Sequence, residues 1–78
     1  MNPEQEITQA QIAVLYRVER WLRDAITALQ LQGTASVEQG DGDTASRCAS
    51  QVVAMQETLR DVRAQITRRE NRLITKAG

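Results

Sequence analysis

A lone thiol, a knot of acids and a run of arginines are the groups in this chain whose types and spacing could do chemistry. Cys48 would need an adjacent base to become a nucleophile, and the sequence contains no histidine. That absence removes the commonest general base, the commonest metal ligand and every Ser-His or Cys-His pairing. Cys48 is therefore expected to be a small buried hydrophobe. In "EQGDGD", residues 38–43, Asp41 and Asp43 suggest a calcium loop. A full loop needs further oxygen ligands and a Glu at its twelfth position, and none is so spaced. No glycine pattern cradles a phosphate. No catalytic residue, cofactor site or metal site is expected, and the chain reads as non-enzymatic.

The arginine run is the third candidate. Arg60, Arg63, Arg68, Arg69, Arg72 and Lys76 stand against Asp61 and Glu70, whereas the chain as a whole has net charge +0. A basic helix end could grip phosphates. Without an aromatic platform or a helix-turn-helix spacing, nucleic acid is disfavoured, and these side chains serve the negative end of a helix and its solvated face.

The elements that must carry these groups are helices. Asn2 is a good N-cap, Pro3 fits the first helical position, and Gln5 stands at the capping-box position. A helix is predicted over about 3–32, ended by Gly33 as its C′ residue, followed by a flexible acidic linker over 33–43. A second helix, capped by Asp43 or Thr44, should run over about 44–75. The 78 residues form one all-α domain, 1–78, a two-helix antiparallel hairpin. With 41% apolar but 3% aromatic residues, its core must be aliphatic.

The second helix carries a strict ladder in steps of three and four: Ala45, Cys48, Val52, Met55, Leu59, Val62, Ile66 and, past Arg69, Leu73. That period predicts coiled-coil packing along a seam. Leu15, Leu22 and Leu29 are the facing positions on the first helix. That helix is apolar over about half its circumference, more than one narrow seam can cover. Ile7, Val14, Val18, Trp21 and Ala25 are accordingly expected to bind a partner, with Val14 and Trp21 as the outer row and Glu19 orienting the contact. Trp21 could instead cap the hairpin's own core; Tyr16, the other aromatic, lies on the far side. The hairpin is expected to be completed into a bundle by another chain.

A single cysteine forms no internal disulfide, no apolar run is long enough to span a membrane, and "MNPEQEITQ" does not read as a signal peptide. These features predict a cytoplasmic protein with no membrane attachment. In size and plan, and in the texture of "AMQETLRDVRAQI", residues 54–66, the chain resembles the small helical-hairpin co-chaperones of type III secretion needle subunits. The resemblance is architectural and covers nearly the whole chain. It implies a hairpin that joins a second chaperone, the two together sequestering a polymerisation-prone subunit. Needle subunits are themselves short hairpins but turn at a proline-containing loop, and proline is missing from this turn. Three classes of function remain: a chaperone or co-chaperone covering a partner's apolar helix, a self-assembling coiled coil such as a phage-derived structural protein, and a small nucleic-acid-binding regulator acting through residues 60–76.

Overall fold

The structure, a computed structural model, describes residues 2–77, with side chains described through residue 75. The side chain of Lys76, expected at the basic end, lies outside that set. Helix α1 spans Pro3–Glu38 and helix α2 spans Gly42–Ala77, each of 36 residues. A helix of that length is about 54 Å long. The molecule measures 57 × 14 × 13 Å, so the two helices lie side by side as an antiparallel hairpin.

The start of α1 is capped as its sequence predicts. The Asn2 side-chain oxygen accepts from the Gln5 N–H at 2.9 Å, and the Asn2 carbonyl accepts from the Glu6 N–H at 3.2 Å. The far end differs from expectation. Helix α1 does not stop at 32 but continues through Gly33 to Glu38, and the linker of 33–43 contracts to residues 39–41. Gly40, with φ +78°, is the C′ residue. Its N–H donates to the Val37 carbonyl at 3.0 Å and the Asp41 N–H donates to the Ser36 carbonyl at 2.8 Å, which together form a Schellman end.

Asp41, rather than Asp43 or Thr44, caps α2. Its carboxylate accepts from the Thr44 N–H at 3.1 Å and from the Thr44 hydroxyl at 2.7 Å, and its carbonyl accepts from the Ala45 N–H at 3.2 Å. The α2 helix accordingly begins at Gly42, two residues earlier than predicted, and continues to Ala77. One short loop thus ends one helix and starts the next. A connection this tight makes the two helices neighbours within one chain.

The reason α1 passes through Gly33 is tertiary. A Cβ at Gly33 would meet the Cβ of Cys48 at 3.4 Å, ordinary contact distance, so this position packs in the seam against α2. Glycine costs a helix about 1 kcal/mol relative to alanine. Continuing α1 by a turn and a half brings Ser36 into the seam, where it is buried, and its hydroxyl donates to the Gln32 carbonyl at 2.9 Å.

The α2 ladder is the core, as the spacing predicts. Cys48, Val52, Leu59 and Ile66 are buried, and Ala45, Met55, Val62, Arg69 and Leu73 are half-buried. The facing row on α1 keeps the same three-and-four step through Thr8, Ile12, Leu15, Glu19, Leu22, Ile26, Leu29, Gly33 and Ser36, all buried or half-buried. Running outward from the Gly33–Cys48 contact, that antiparallel register sets Leu29 opposite Val52, Ile26 opposite Met55 and Leu22 opposite Leu59. Leu22, Ile26, Val52 and Leu59 form the central cluster, with Leu29, Met55 and Val62 packed against it. Thr8 is accommodated as Ser36 is, its hydroxyl donating to the Glu4 carbonyl at 2.9 Å.

Candidate interaction surface

Helix α1 carries a second ladder. One residue before each seam position stand Ile7, Gln11, Val14, Val18, Trp21, Ala25, Ala28, Gln32 and Ala35. This stripe lies about 100° round the helix from the seam. Its large members are open to solvent: Ile7 is 59% exposed, Val14 58%, Trp21 63% and Val18 36%. Ala25 is half-buried at the margin of the seam. Trp21 does not cap the hairpin's own core. The two sequence-derived sets therefore separate in space, with Leu15, Leu22, Leu29 and the α2 ladder inside and Ile7, Val14, Val18 and Trp21 outside.

A shallow groove of about 430 Å³ runs where the stripe meets α2, lined by Ile7, Ala10, Gln11, Val14, Leu15 and Arg69. Arg69 interrupts the α2 ladder yet is well satisfied. Its Nε donates to Gln11 Oε1 at 3.3 Å and its Nη1 to Gln65 Oε1 at 2.8 Å, which folds the guanidinium over the edge of the core. The corresponding flank of α2 beside the stripe is polar, with Gln51, Thr58, Asp61, Gln65, Arg68 and Arg72 at the equivalent positions.

The opposite side of the hairpin is mixed, with charged side chains along its middle and exposed Val37, Val53 and Ile74 toward its ends. Glu19, expected to orient a partner, points instead to its own second helix. Arg63 Nε donates to Glu19 Oε2 at 3.4 Å, and Arg23 approaches the same carboxylate at 4.0 Å. The Glu19 side chain is only 18% exposed, so a neighbouring guanidinium is what makes its place in the seam tolerable. On this side too the Tyr16 hydroxyl donates to Glu70 Oε2 at 2.8 Å, and this hydrogen bond, before partial desolvation and the nearby Glu70 and Glu19 charges, pushes the phenol above its usual 10.0. A second groove, of about 420 Å³, sits on this side near the turn, lined in part by Val37, Val53 and Ala49.

The basic run of the sequence is divided by the fold. Arg63 turns to Glu19 on one side, Arg69 folds over the seam edge, and Arg72 lines a small groove with Glu4, Ile7, Thr8 and Gln11 on the other. Among the described residues no group of three or more Cys, Asp or Glu side chains is placed to hold a metal ion, and no helix is long and apolar enough to cross a membrane.

The lower half of the stripe falls outside the contact set expected from the sequence. Ala28 and Ala35 repeat the heptad that begins at Ile7, and that spacing was available as a signal. It was hidden by ending the helix at 32, which left Ala35 in a loop. No protein-family model matches the chain, and no curated protein or solved structure does either.

Proposed function

We propose that this hairpin is a non-enzymatic interaction module that works by covering an apolar helical surface of another chain, in the manner of a small cytoplasmic chaperone or co-chaperone. One observation carries this reading: α1 presents exposed Ile7, Val14, Val18 and Trp21 at heptad spacing while its seam is already occupied by α2. A contiguous apolar stripe at coiled-coil spacing is a surface shaped for another helix. Tryptophan is among the residues most often found to anchor such contacts. The architectural resemblance to needle-subunit co-chaperones supports the same class of role and suggests type III secretion as its setting.

The reading as a nucleic-acid regulator draws less support. Arg63 and Arg69 are engaged within the hairpin and the remaining arginines face different sides, so the run does not form one continuous basic face. The discriminating experiment is co-purification from the native source with Val14→Gln/Trp21→Gln and, separately, Arg68→Gln/Arg72→Gln. Loss of specific assembly only in the stripe variant is the expected result. Retention of every partner by the stripe variant overturns the proposal, and loss confined to the arginine variant favours phosphate binding.

A further inference from the structure

Within the reading of the stripe as an interface, we infer that its occupant is a second copy of this chain, running antiparallel so that the two α1 helices pack stripe to stripe in a four-helix assembly. The stripe is graded in size along its length. Its N-terminal half holds the large side chains Ile7, Val14, Val18 and Trp21 with Gln11 among them, and its C-terminal half holds Ala25, Ala28 and Ala35 with Gln32 among them. Bulky and small residues pack best when they alternate across an interface. A parallel pair would set Trp21 level with Trp21 and alanine level with alanine, crowding one half and leaving the other hollow. An antiparallel pair with its two-fold axis near residue 23 sets Trp21 against the partner's Ala25, Val18 against the partner's Ala28 and Gln11 against the partner's Ala35, and Val14 then meets the aliphatic stem of the partner's Gln32. Such a two-fold contact is isologous and closed, so it ends at a dimer.

Charge supports the same orientation. The turn end carries Glu38, Asp41 and Asp43 against Arg47, whereas at the open end Arg68, Arg69 and Arg72 are balanced by Glu4, Glu6 and Glu70. Arg72 shares its groove with Glu4 as well as Ile7. An antiparallel pair keeps the two acidic turns at opposite ends of the assembly, whereas a parallel pair would set them side by side.

The test is sedimentation equilibrium on the full chain and on size-swapped variants. The wild-type chain is expected at twice its 8.7 kDa mass at micromolar concentration. Trp21→Ala should weaken the dimer at least about 30-fold, since symmetry makes it remove two tryptophan anchors, one from each chain. Ala28→Leu should weaken it as well, by overfilling the space opposite Val18, while leaving the helical content of the hairpin unchanged. Val18→Ala combined with Ala28→Val should restore dimerisation, because the rung between positions 18 and 28 again holds one large and one small side chain. A monomeric wild-type chain overturns the second-copy inference, and the interface reading then stands or falls by the co-purification above. A dimer indifferent to both Trp21→Ala and Ala28→Leu also overturns the second-copy inference, because the stripe is then not what pairs, and the interface reading is again decided by the co-purification.

Discussion

The two helices are of equal length and meet along one seam, yet they differ in how their apolar residues are distributed around them. Helix α2 is one-sided: its apolar residues concentrate on the ladder from Ala45 to Leu73, and both flanks are mainly polar. Helix α1 is two-sided, with a seam whose polar members are tolerated by local devices and a stripe whose large apolar members are exposed among the described residues. The seam of α1 contains Thr8, Glu19, Gly33 and Ser36, and the exposed stripe contains Ile7, Val14, Val18 and Trp21. Burial in one subunit thus fails to follow hydrophobicity along α1. With a tryptophan outside and a glutamate inside, the inside of α1 is set by its contact with α2, and the proposed second contact falls on the outside.

Truncations in the shared core should break this comparison most severely, since α1 and α2 contribute to it equally. Leu22→Ala and Leu59→Ala each remove a buried side chain from the central cluster and are expected to cost about 2–5 kcal/mol. For a hairpin of this size, either change should abolish the cooperative thermal transition seen by circular dichroism. A transition retained after Leu22→Ala, but lost after Leu59→Ala, would show that the helices are not partners in a single core. Gly33 probes the closest approach of the two. Gly33→Leu should destabilise by about 1–3 kcal/mol through overpacking against Cys48. Gly33→Ala, whose Cβ just meets Cys48 at van der Waals distance, should be neutral or stabilising by up to about 1 kcal/mol, because helix propensity then outweighs crowding. At the turn, Gly40→Ala should cost about 1–2 kcal/mol, since φ +78° is a left-handed conformation that a Cβ disfavours.

These sites also show what was legible in the sequence. The α2 ladder was fully readable because its period is unbroken and its residues are apolar. The start of α1 was readable because Asn2 and Pro3 act locally. The end of α1 was not, because Gly33 has two meanings: a C′ residue when nothing lies opposite, and a close-contact residue when a helix does. Only the partner helix decides between them, and single-sequence propensity carries no information about it. The cap of α2 was misplaced for a related reason. Asp41, Asp43 and Thr44 are all competent caps, and the choice of Asp41 follows from where the Schellman end delivers the chain. The stripe was half legible, since its large residues stood out and its alanines did not. Glu19 was placed correctly in the apolar sector but given the wrong partner, because nothing local to α1 points to Arg63.

Smaller effects should come from the charged devices. The Asp41 carboxyl is held below its usual 3.8, chiefly by the hydrogen bond from the Thr44 hydroxyl and then by that from the Thr44 backbone N–H. Because the folded value is depressed, its contribution is present above the unfolded value and lost as pH falls through the folded one. Thermal melts between pH 5 and 2 should therefore show a downward slope that is reduced in Asp41→Asn, which keeps a cap but no titrating group. An unchanged slope in that variant would place the acid sensitivity elsewhere.

The smallest expected effect separates the two aromatic side chains of α1, which lie on opposite sides of the hairpin. Tyr16 is held across the helices by Glu70, whereas Trp21 is kept free of its own α2. The Tyr16 phenol is raised above 10.0 because its hydroxyl proton is engaged by the Glu70 carboxylate. A raised folded value means that the contribution is fully present below the unfolded value and disappears as pH climbs through the folded one. As the chain has one tyrosine, phenolate absorbance reports this group alone. Glu70→Gln should bring the titration back toward its ordinary value, while Tyr16→Phe should remove it with little change in thermal stability at neutral pH. Neither change should disturb dimer formation, because both lie on the side away from the stripe. If Glu70→Gln instead dissociated the dimer while Trp21→Ala did not, the interacting side of α1 would be the charged one, and the division of labour between its two faces would be reversed.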